Sequence, residues 1–142
     1  MGERLVKLAS AVIGAAAGLL GEWNILLTVL ACFMVMDYLT GVICAWRGRS
    51  PKTEGGGVSS RVGFDGLARK ALMMLIVLMA TLLDRAAGID GSAFQTAAAS
   101  YYIANEGISI LENSALLGVP YPKPLLRALE AMQDGETEEI EE

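Results

Sequence analysis

Histidine is absent from the 142 residues and cysteine occurs only twice, so a zinc or haem centre has almost no ligands to draw on. Cys32 and Cys44 fall in one apolar segment; on a straight helix their Cα atoms are about 18 Å apart, too far for a bridge. Aromatic residues make up 6%, too few to line a substrate cavity, and no internal repeat is found. Three of the four prolines crowd into Pro120, Pro122 and Pro124, which leaves long stretches free to be helical. The glycine triplet Gly55–Gly57 is not followed by Gly-Lys-Ser/Thr and no strand precedes it, which excludes a phosphate-binding loop. The net charge of −5 is no nucleic-acid signature: Asp134–Glu142 holds six acids, and the remaining chain has 11 basic against 10 acidic residues.

What the chain has instead is apolar length. Hydrophobic residues reach 54%, mean hydropathy is +0.46, and the apolar residues form long runs rather than an alternation. This pattern predicts an all-α integral membrane protein with four transmembrane helices at about residues 5–21, 25–46, 67–87 and 93–118. The first is marginal and carries Lys7; Gly14 and Gly18, like Ala11 and Ala15, sit at helix-packing spacing. A signal peptide competes there, with Arg4 and Lys7 before the apolar run and Ala15–Ala17 after it. Against cleavage, the second span follows after only Gly-Glu-Trp-Asn. Ile25–Trp46 is the clearest span, bracketed by Trp23 and Trp46. Its one charge is Asp37, which forms a small-and-polar stripe with Thr40, Gly41 and Cys44. A structural, hydrogen-bonded Asp37 and a conducting one are both open readings.

Residues 47–70 form the long polar connection, flexible at Pro51 and Gly55–Gly57, with an ordered run Ser59–Leu67 in which Ser59, Ser60 and Asp65 are candidate helix caps. The third span has its apolar centre at Ala71–Leu83, with Arg69 and Lys70 expected to snorkel toward the interface. After the fourth span, residues 119–133 read as an amphipathic cytoplasmic segment with Arg127 and Glu130 on its wet side. Residues 134–142 read as a disordered acidic tail. Ten of the eleven basic residues lie in the N-terminus, the long loop and the C-terminal segment, which predicts both termini in the cytoplasm.

The fourth span, Ala93–Gly118, runs 26 residues without a basic side chain or proline, roughly 39 Å as a helix. Tyr102, Asn105, Glu106, Ser109, Glu112 and Asn113 fall on an arc of about 120°, with Ile103, Ile110 and Leu111 facing away. An acid at the bilayer centre costs roughly 2.5–3.5 kcal/mol on insertion scales, so this seam should face protein or water. Asp37, Thr40 and the seam residues are therefore the candidate pore-lining set, and Gly14, Gly18 and Gly41 the candidate helix-packing positions.

Three segments carry a resemblance. Asp37-Tyr38-Leu39-Thr40-Gly41-Val42, the run Ser59–Lys70, and Tyr102–Asn113 leading to Gly118-Val119-Pro120-Tyr121-Pro122 together resemble the bacteriophage holin family, which includes toxin-secretion holins. The Asn-Glu-Gly-x-Ser-x-Leu-Glu-Asn run is the most specific of these. The resemblance implies a non-enzymatic protein without cofactor or metal that accumulates as a homo-oligomer in the bacterial cytoplasmic membrane. There it opens lesions for a muralytic endolysin or a large toxin; membrane lipid is its other partner. A chain this small cannot enclose a wide pore alone. The alternatives are a small four-helix transporter or ion channel using Glu106 and Asp37, and a structural membrane partner. The absence of repeats weighs against a transporter, and the polar seam against a purely structural role.

Overall fold

The chain forms five α-helices in the computed structural model, which describes residues 2–141, with side chains described as far as Asp134. They are α1 (Gly2–Leu19), α2 (Ile25–Trp46), α3 (Ser60–Ala87), α4 (Ala93–Leu116) and α5 (Lys123–Glu141), with a short 3-10 turn at Glu54–Gly56. Helix α5 continues through most of the stretch 134–142 that was expected as a disordered acidic tail; side chains beyond Asp134 lie outside the described residues. Helix α2 has the bounds its hydropathy predicts. Helix α3 begins earlier than the expected span because Ser59 is its N-cap, accepting a hydrogen bond from the Val62 N–H at 3.4 Å.

Helix α4 organises the rest. It packs most extensively on α2 and also on α5 and α3, whereas α2 and α3 touch each other little. One end is sealed by Leu27, Leu30, Met34, Val77, Ala99 and Ile103. The exterior is apolar as well: Val35, Leu39, Ile43, Leu72, Leu75 and Met79 are exposed on α2 and α3. Apolar outside with acids and a lysine inside is the reverse of a water-soluble fold and suits lipid. By length and composition α2 and α3 are able to cross a bilayer. Helix α1 has 18 residues including Glu3, Arg4 and Lys7, and α4 carries its polar seam, so neither is read as a span on composition alone.

Helix α1 has no buried residue and makes a small contact with α3. Nothing among the described residues comes within 4 Å of a Cβ placed on Gly14 or Gly18. Gly41 does face a neighbour, since its Cβ would stand 3.9 Å from Asn113 Nδ2. Gly107 has the tightest fit on α4: a Cβ there would meet both Leu129 methyl carbons at 2.9 Å and Phe33 at 3.2 Å. That missing side chain seats α5 against α4, with Leu129 buried and Arg127 and Glu130 exposed.

The start of α4 is capped from another helix. Both Asp84 oxygens accept from α4, from the Phe94 and Gln95 N–H groups, each at 2.9 Å. The Gln95 side chain donates to Thr81 Oγ1 (2.7 Å) and the Leu20 carbonyl (3.3 Å), and accepts from Asn24 Nδ2 (2.9 Å). At the opposite end Arg49 Nη1 donates to the Leu116 carbonyl at 3.0 Å, giving α4 the C-terminal cation its own sequence lacks. Asp84→Ala removes two charge-assisted bonds to orphan amides and should destabilise the fold by about 2–3 kcal/mol. Thermal unfolding in detergent measures this, and Asp84→Asn should recover part of the loss.

Candidate functional site

The polar residues of α2 and α4 meet because α4 lies against α2 with its seam turned toward the gap between α2 and α3. Asp37 and Glu106 are both buried, 7% and 2% exposed. Lys70 of α3 stands between them. Its Nζ donates to Asp37 Oδ2 at 2.7 Å and to Glu106 Oε2. Asn113 continues the network, its Nδ2 donating to Asp37 Oδ1 at 3.3 Å and to Thr40 Oγ1 at 3.0 Å. Thr40 donates in turn to the Asp37 backbone carbonyl (3.0 Å), and Cys44 Sγ donates to the Asn113 carbonyl (3.3 Å). Among the described residues no buried side-chain polar atom is left without a partner.

A cavity of about 720 Å³ opens beside this network. Asp37 and Gly41 of α2, Ser60, Gly63 and Lys70 of α3, and Asn105, Glu106, Ser109 and Asn113 of α4 line it, with residues 50–53 and 58–59 of the connecting loop. Of the expected seam, Asn105, Glu106, Ser109 and Asn113 thus share one chamber with Asp37. Thr40 is tied to it through Asn113. Glu112 is exposed and does not line it, and Tyr102 packs half-buried against the apolar core.

Lys70 was not among the sequence candidates. It does not snorkel outward: its side chain is 12% exposed and turned between the two acids. The only signal available in sequence was charge bookkeeping, two acids in spans and one cation at the edge of a third. The carboxylates are occupied by that cation, and among the described residues no three His, Cys, Asp or Glu side chains converge to hold a metal ion. What the arrangement offers is a three-helix electrostatic lock at the floor of a polar-lined chamber, closed at the far side by the apolar core.

Residues 14–134 match the family model described as "Bacteriophage holin family". The chain is similar to the "Uncharacterized 14.9 kDa protein in nagH 3'region" of Clostridium perfringens, with 40% identity over 80% of this chain and 81% of that protein. An uncharacterized protein of Halalkalibacterium halodurans is 38% identical over 95% of this chain and 98% of its own length. The "Probable holin" of Bacillus phage phi105 is 35% identical over 87% of each chain. No solved structure matches.

Proposed function

Because the chain belongs to the bacteriophage holin family, whose members are not enzymes, we propose that it permeabilises the bacterial cytoplasmic membrane as a homo-oligomer. The lesion passes a muralytic enzyme or a large toxin. In this reading α1 to α4 all cross the membrane, with both termini and the 47–59 loop in the cytoplasm, where the basic residues of that loop belong. One observation carries the proposal: the Asp37–Lys70–Glu106 lock joins three helices around a chamber inside an apolar exterior.

Such a lock suits a protein that is quiet and then opens. A buried ion pair gives back in Coulomb attraction roughly what it costs in desolvation, so its packed and hydrated forms lie close in free energy. Exchanging the intramolecular pairs for water in an oligomeric lesion therefore needs only a modest bias between two states. Asn105 and Ser109, already facing the chamber, would be wetted by the same opening.

Induced expression in a bacterium tests the reading. After a delay, cytoplasmic enzymes should appear in the medium once a muralytic enzyme is co-expressed, and the membrane potential should collapse. Solute uptake or export with an intact potential would instead identify a transporter.

A further inference from the structure

The mouth of the chamber carries cations beyond the three side chains of the lock. Lys52 and Arg69 both line it and both are exposed, and among the described residues neither side chain forms an ion pair. Asp65 is the exposed acid on the same lining, so the mouth keeps a formal net charge of +1, above a buried floor where Lys70 sits between Asp37 and Glu106. The exposed rim of the cleft is thus cationic.

The start of α3 adds to this. Ser59 and Ser60 line the cleft, and the Ser59 side chain and carbonyl engage Val62 and Gly63. The first-turn N–H groups of Ser60 and Arg61 have no helical carbonyl to meet. The cleft is also open sideways. Helices α2 and α3 scarcely touch, approaching near Gly63, whose Cβ would be 3.5 Å from Tyr38 Oη. Its apolar walls include Val42 and Phe64, 42% and 71% exposed, which join the lining to the lipid-facing exterior. A polar, cationic mouth that opens laterally between two bilayer-length helices has the form of a lipid headgroup site.

We propose that this mouth binds the phosphate of an anionic phospholipid from the cytoplasmic leaflet through Lys52 and Arg69, with the lipid's glycerol and first acyl carbons along Val42, Val62 and Phe64. The site rests on the membrane orientation proposed above. Its volume is in the range of small-ligand pockets. A lipid seated there lies against the chamber whose floor is the three-helix lock, so headgroup composition and lock stability are coupled.

Native mass spectrometry of the full chain in non-ionic detergent, titrated with phosphatidylglycerol or phosphatidylcholine, tests the site. Phosphatidylglycerol should be retained in preference to phosphatidylcholine. Lys52→Ala with Arg69→Ala should lower that retention about thirtyfold, two juxtamembrane cations being removed. Both residues are exposed, so the fold should survive, and Lys123→Ala with Arg127→Ala should retain phosphatidylglycerol as the parent does. Equal retention by the Lys52/Arg69 variant overturns the proposal. So does displacement by glycerol phosphate at equal concentration, which would mark a free-phosphate site. A loss of oligomer without a loss of lipid would assign the cleft to a second copy of the chain and likewise overturn it. The titration does not depend on orientation, which is tested separately by labelling cysteines at Gly57 and Asp90 from the two sides of the membrane.

Discussion

Lys70→Met should destabilise the protein by about 3–5 kcal/mol, the cost of removing one partner from a buried ion pair. Two carboxylates, 9% and 3% exposed at the side chain, would then face each other with no cation between α2, α3 and α4. Water must enter or the helices must separate. The expected result is a low midpoint of thermal unfolding in detergent, together with early and poorly timed permeabilisation in cells. Lys70→Arg, which keeps the charge, should fall between methionine and the parent, since its longer planar head fits the two-acid gap less well. Combining Lys70→Met with Asp37→Asn and Glu106→Gln removes all three charges and should restore much of the lost stability. A Lys70→Met protein that melts like the parent and lyses on schedule would show that the lock has no part in the closed state.

The second large effect is the coupling between the acids. Either Asp37→Asn or Glu106→Gln alone leaves Lys70 one carboxylate, a neutral pair that the fold tolerates. Both together leave a buried ammonium with no counter-charge. A double-mutant cycle should therefore show an interaction of about 1–3 kcal/mol, the pair losing more than the sum of the singles. Glu106→Leu separates stability from function: insertion should be preserved, because a buried acid is gone and Asp37 still holds Lys70. Permeabilisation should be delayed or lost, because the chamber floor loses a group that water would solvate on opening. Additive singles would mean that the acids act independently, and timely lysis by Glu106→Leu at normal expression would refute the role given to the seam.

Much of this was legible in the chain. Helix α2 has the bounds of its apolar run because 22 residues with one charge and tryptophans at both ends have no competing structure. The α4 seam was legible from the 100° periodicity alone, and four of its six residues line the chamber. Ser59 was one of three candidate caps by residue type, and the structure selects it. The residues misplaced from sequence are those whose neighbours decide them. Glu112 lies at the edge of the polar arc, where packing of α4 on α2 and α3 leaves it outside. The amphipathic pattern of 119–133 announced a helix with one apolar face but not that Gly107 is its socket.

The sequence by itself determined where the apolar helices lie, which of their faces are polar, and that acids are buried in two of them, but not how far α3 and α5 extend. These follow from periodicity and transfer free energy, which are properties of each segment alone. Only the tertiary structure decided that Lys70 is their counter-ion, that Asp84 caps α4, and that α4 lies between the other helices. A lysine at the edge of an apolar run can reach water or an acid with the same flexible stem. Which it reaches depends on what the adjoining helices present at that height, and this comes into being only when α2, α3 and α4 pack.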